Sequence, residues 1–218
     1  MATQFIQTFD DIAHMRANEG RATAVGVVGG ALVVGGGAVV NAGAKATSAT
    51  VTVGEYGDAT IHKTVLTLNA FPVTLLDASV GGGTLLYTFP KGAITILGAV
   101  GTIAETTTST LSSTLNTGVT INYGVGSVIT TTQASGTLTT TQVDILDDSN
   151  LTASATINVA GAAATKGRTS APAVFDGTTT ALVANFNVGV AGATDIDGDA
   201  TTTYTGTITI SWMFNGAS

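Results

Sequence analysis

The chain has 218 residues, of which 10% are charged, 28 are glycine and 3 are proline, with no cysteine and a formal net charge of −7. That length can bury a sizeable core, most simply as one large all-β domain with an arm. Its seven Lys and Arg are scattered, which argues against nucleic acid as a partner, and without cysteine there are no disulfides and no thiolate metal sites.

The first segment that reads as an element is 10–18, a short helix. Around it Phe5, Ile6, Phe9, Ile12 and Met15 form a set of candidate apolar anchors. Next comes an uncharged stretch between Arg21 and Lys45. Residues 24–40 approach the hydropathy of a membrane span, which needs about 20 mostly apolar residues. Six of those 17 residues are glycine, however, and eight are valine or leucine. Each glycine costs a helix roughly 1 kcal/mol, while each valine or leucine returns only about 0.3–0.6 kcal/mol on insertion. The two sums are of similar size and leave little drive to span. A secretion signal fits poorly too, because Asp10 and Asp11 precede the first Arg, although Ala42-Gly43-Ala44 has the form of a cleavage site. The remaining reading is extended chain: β-branched bursts containing Val27, Val28, Leu32, Val33 and Val34, separated by glycines. Such bursts are too short to make a sheet alone, and ordering so much glycine costs entropy. We therefore expect residues 1–58 to be an arm with edge strands that is held by a partner, and these five aliphatic residues to be contact positions along with the five anchors.

Past residue 45 the chain becomes a series of short alternating segments, of which 59–218 are expected to form the sandwich body. Strands are expected at 50–53, 63–68, 85–89, 94–97, 119–122, 128–132, 137–143, 153–159, 182–188 and 204–214. In the last, Ile208, Ile210, Trp212 and Phe214 share one face, the mark of a half-buried antiparallel strand. Turn signals fall at Gly81-Gly82-Gly83, Pro90-Lys91-Gly92, Asp147-Asp148-Ser149-Asn150, Asp176-Gly177 and Asp197-Gly198-Asp199. About ten such strands imply an all-β fold, a jelly-roll-like antiparallel β-sandwich with an extended Gly/Val-rich N-terminal arm. The recurring threonine tracts suit solvated sheet surface.

Signals for chemistry are weak. His14 and His62 lack a second histidine or an adjacent carboxylate at ligand spacing, and read as surface or packing residues. Asp195, Asp197 and Asp199 alternate like a calcium loop, but Ala200 falls where that loop needs glycine and Gly206 where it needs glutamate. A hairpin turn is the simpler reading. Asp144, Asp147 and Asp148 form a second acidic turn with a weaker match. Residues 161–169 imitate a phosphate loop, yet Thr165 precedes Lys166 where glycine is required, so a flexible loop is expected. No catalytic, cofactor or metal residues are assigned, and the chain is not expected to be an enzyme.

Two segments carry a resemblance. The run 87–99 (YTFPKGAITILGA), and 174–178 (VFDGT) together with 206–212 (GTITISW), resemble β-rich structural proteins of tailed bacteriophages, and more narrowly capsid decoration, or cement, proteins. The likeness spans about 60–218. It implies a jelly-roll-like body, usually a homotrimer, that sits on the outer capsid surface of the virion and bridges major capsid subunits. Neither nucleic acid nor membrane is implied as a partner. A tail-fibre or receptor-binding β-module is the alternative that fits the same composition.

Overall fold

The computed structural model describes residues 24–28, 31–35, 42–45, 48–75, 80–107, 120–130, 136–152, 160–190 and 200–216. The chain separates into two compact units, Met1–Val40 and Asn41–Ser218. The expected helix at 10–18, Phe5, Ile6, Phe9, Ile12 and Met15, the strand at 153–159 and the turn bearing Asp195, Asp197 and Asp199 lie outside the described residues.

In the first unit β1 (Ala24–Val28) pairs antiparallel with β2 (Ala31–Gly35), setting Val27 opposite Leu32 and Val25 opposite Val34. Valine fits a pleated chain and glycine disfavours helix, so this stretch is strand.

The second unit contains β3 (Ala44–Lys45), β4 (Val51–Gly57), β5 (Ile61–Leu75), β6 (Gly81–Thr88), β7 (Gly92–Thr107), β8 (Thr120–Gly126), β9 (Leu146–Thr152), β10 (Ala164–Gly167), β11 (Ala173–Gly177), β12 (Val183–Val190) and β13 (Ala200–Gly216). It therefore takes in β3 and β4, the edge strands within 1–58. Among the described residues its strands form two antiparallel sheets. The larger runs β10–β7–β13–β5–β4, with β11 beside β10 on the same edge of β7; the other runs β3–β6–β12–β8–β9. The pairs are nested in sequence: β8 with β9, β7 with β10 and β11, β6 with β12, and β5 with β13. Successive strands from β5 to β8 alternate between the sheets. That is jelly-roll order, two interlocked Greek keys closing over one core.

The core is filled from both sheets, by Leu66, Phe71, Ile94, Ile208 and Trp212 on one side and Leu86, Tyr123, Phe186 and Val188 on the other. Two irregularities let the long strands keep facing it. Asn69 and Ala70 of β5 stand opposite the single residue Thr205 of β13, with Ala70 at φ 51° and its N–H donating to the Thr205 hydroxyl at 3.2 Å. This bulge shifts the inward face of β5 from Leu66 and Leu68 to Phe71, Val73 and Leu75. In β7 the extra residue is Leu97, which is left 39% exposed while inward positions change from Ile94 and Ile96 to Ile103 and Glu105. Gly206 lies beside the first bulge at φ 148°, where a Cβ would stand 2.0 Å from the Thr102 carbonyl, so no side chain fits.

Several local expectations are corrected. Residues 137–143 form no strand but carry a 3-10 turn, Thr140–Gln142, with the Thr139 N–H donating to Gln142 Oε1 at 2.6 Å. Residues 128–130 are loop. Asp147-Asp148-Ser149-Asn150 lies inside β9 rather than in a turn, as polar residues suit a sheet edge. Gly81-Gly82-Gly83 opens β6; Gly82 is small because the Thr74 carbonyl passes 2.4 Å from where its Cβ would be. The flexible loop expected at 161–169 contains β10.

Candidate functional site

The two sheets differ on their outer faces. On the five-stranded sheet, residues 127–130 and 136–142 lie over β8 and β12. Asn187, fully buried on β12, holds them: its Nδ2 donates to the Val128 and Gln142 carbonyls at 2.9 and 2.8 Å, and its Oδ1 accepts from the Thr130 N–H at 2.8 Å. Asn122 adds a hydrogen bond to the Gly136 carbonyl at 3.0 Å. Below this cover, Asp144 accepts from the backbone and hydroxyl of Ser127 at 2.7 and 2.6 Å. Arg168 reaches the Asp144 and Ala171 carbonyls, and Asp147 accepts from Thr169. Burial pushes the Asp144 carboxyl above the usual range, against the pull of Ser127 and Arg168. The acidic residues of this region thus serve as separate staples.

On the six-stranded sheet the outer face carries rows of directly opposed residues, which share one side of an antiparallel sheet. One row is Val174, Thr95, Met213 and Ile61; the next includes Gly98, Ser211, Lys63 and Tyr56; the third is Gly167, Val100, Thr209, Val65 and Gly54. The fourth consists of threonine on five neighbouring strands: Thr165, Thr102, Thr207, Thr67 and Thr52, all exposed, with the Thr102 and Thr165 hydroxyls 2.9 Å apart. Tyr56, Ile61, Leu97, Val100 and Val174, most of the large apolar side chains exposed among the described residues, belong to this sheet.

At one end of the sandwich interior lies a polar and aromatic cluster. Trp212 Nε1 donates to Thr64 Oγ1 at 2.8 Å, and the Thr64 hydroxyl donates to Glu55 Oε2 at 2.9 Å. Tyr87 accepts from the Gly43 N–H at 2.7 Å and fixes the chain entering β3. The His62 ring stacks on Trp212 with centroids 3.9 Å apart and planes 7° from parallel. His62 is 1% exposed and neither ring nitrogen makes a hydrogen bond. Burial holds its imidazole below the ordinary value, against weaker pulls from the nearby Ala59 backbone and the Asp58 charge. Burial likewise raises the Glu55 carboxyl, opposed by hydrogen bonds from Tyr87 and Thr64. His62 is thus a packing residue, and Trp212 is core, with Phe214 packed against its margin.

The His62 shift has a pH consequence. With its folded pKa below the unfolded value of about 6.5, His62 contributes stability above pH ~6.5 that is lost as pH falls toward the folded value. Glu55 and Asp144, raised in the fold, act in the opposite sense at lower pH. The urea midpoint of the native chain is therefore expected to fall more between neutral and mildly acid pH than that of His62→Phe, which retains both carboxylates. Parallel midpoint curves would rule out this role.

Of the sequence-assigned contact positions, Val27 and Val28 lie on β1 and Leu32, Val33 and Val34 on β2. Among the described residues no group of three His, Asp or Glu could hold a metal ion, and no helix is long and apolar enough to cross a membrane. The fold and these surfaces define a jelly-roll β-sandwich preceded by a separate β-hairpin. Compared with known proteins, the chain matches no family model and no curated protein sequence.

Proposed function

We propose that the chain is a structural protein of a tailed-phage virion, a decoration or cement protein on the outer surface of the head that bridges major capsid subunits. The observation that carries this reading is the combination of a compact jelly-roll body with a separate glycine- and valine-rich hairpin, β1–β2. Among the described residues β1 and β2 pair only with each other; a two-stranded hairpin is marginal by itself in water, and strand edges of this kind offer backbone N–H and C=O groups to another chain. Adding those strands to a neighbour's sheet supplies what the hairpin lacks. Jelly rolls also occur in lectins, so the fold alone does not choose; the phage-like phrases at 87–99, 174–178 and 206–212 favour the shell. In this reading the protein acts without a catalytic step. Each copy bridges several subunits, and many weak contacts act together through high effective concentration.

Removing residues 1–40 tests the proposal, since the cut precedes β3 and leaves the body's strands whole. Occupancy on purified shells is expected to drop sharply while the circular dichroism of the body is unchanged. Full occupancy by the truncated chain would sink the arm mechanism. Binding to host cells instead of shells would mark a tail-fibre or receptor-binding module.

A further inference from the structure

We propose that the outer face of the six-stranded sheet, which no other described segment of the body covers, is the surface through which copies of this chain associate. The proposal deepens the structural-protein reading, resting on it only for the expectation that copies meet. Three observations single out this face. First, over β8 and β12 its counterpart on the five-stranded sheet is covered by the chain's own residues 127–130 and 136–142, anchored through Asn187 and Asn122, whereas the four rows described above keep at least partial exposure at every position but Thr95. Second, the rows carry exposed apolar side chains, Val174, Ile61, Val100 and Tyr56, yet only one charge, Lys63, with Asp176 at the border. A monomer's surface is ordinarily interspersed with charges of both signs, and clustered exposed apolar groups mark interaction sites. Third, the size is right. Five strands about 4.8 Å apart and four rows about 6.7 Å apart cover roughly 650 Å². The further rows Ala104–Thr205 and Thr106–Thr203 bring the face near the ~800 Å² that each partner contributes to a stable interface.

The chemistry selects a second copy as occupant. Fourteen acidic residues against seven basic ones make copies repel in general, and the repulsion is weakest where acids are missing. A partner recognised by charge has little to grip here. A glycan would want several aromatic platforms and amide or carboxylate groups, and the rows offer Tyr56 as their single ring. A threonine hydroxyl, by contrast, both donates and accepts, so the row Thr165, Thr102, Thr207, Thr67 and Thr52 is chemically complementary to an identical row.

The experiment measures mass by light scattering and sedimentation over a concentration series of the full chain. The wild-type chain is expected to form an oligomer that persists in high salt, because an uncharged contact is little screened. Val100→Glu with Val174→Glu, and separately Thr207→Glu, place charges at exposed positions. Each is expected to weaken association about a hundredfold or more, with melting temperature and circular dichroism retained. Asn150→Glu, exposed on β9 of the other sheet, is the control and should leave the mass unchanged. A wild-type chain that stays monomeric throughout, an oligomer that dissociates in salt, or equal dissociation by the control would each overturn the proposal. A chain that associates through this face yet ignores shells would leave it standing and sink the capsid reading.

Discussion

Replacing Trp212 by alanine is expected to cost the body about 3–5 kcal/mol, the range for emptying a buried indole site. For a unit of this size that is a fall of roughly 6–20 °C in melting temperature. The indole is fully buried, stacks on His62, meets Phe89 edge-on with centroids 5.2 Å apart, and donates to Thr64. Truncation leaves a void and removes the ring on which His62 stacks. Trp212→Phe separates the contributions: it keeps an aromatic partner for His62 and Phe89 but loses the hydrogen bond and part of the volume. It should therefore cost well under half as much. Equal losses in the two variants would show that the hydrogen bond, and not the packing, dominates.

The second large effect is expected at Asn187. Leucine has similar volume, yet Asn187→Leu leaves the Thr130 N–H and the Gln142 carbonyl without their partner in a buried place, and the half-buried Val128 carbonyl without its own. At about 1–3 kcal/mol for each of the two unsatisfied buried groups, the loss exceeds roughly 2 kcal/mol if the cover stays closed. Opening of the cover caps that cost, so the amide of Thr130 should exchange with solvent far faster than the β12 amides that face β8. Unchanged exchange at Thr130 together with an unchanged melting temperature would refute the staple role.

The fold class was legible because β13 alternates without interruption from Thr207 to Trp212, and because valine and threonine bursts recur at short spacing. Missed elements share a physical cause: their signal lies in tertiary contact. Gly83 belongs to a strand and is small because Asn187 Oδ1 would lie 2.5 Å from its Cβ, whereas glycine runs elsewhere signal turns. Asp147 and Asp148 have poor strand propensity, but β9 is an edge and β8 supplies its ladder. The short β10 and β11 exist because the edge of β7 holds them. Bulges at Asn69–Ala70 and at Leu97 invert a pattern that strict period-two reading carries straight through, so the length of β5 and β7 was hidden. The outer face was visible only as threonine abundance. That five threonines fall side by side depends on register among five strands, which no local pattern encodes.

β13 is the central strand of the larger sheet, yet its neighbours β5 and β7 come about 100 to 140 positions earlier. During synthesis, both neighbours wait with open ladders until residues 200–216 emerge from the ribosome. Closure of the sheet is then a late, long-range event, the kind that slows folding and leaves unpaired edges available for wrong partners. A nascent or prematurely ended chain lacking this strand should need chaperone protection, and expression at lower temperature should favour the soluble product.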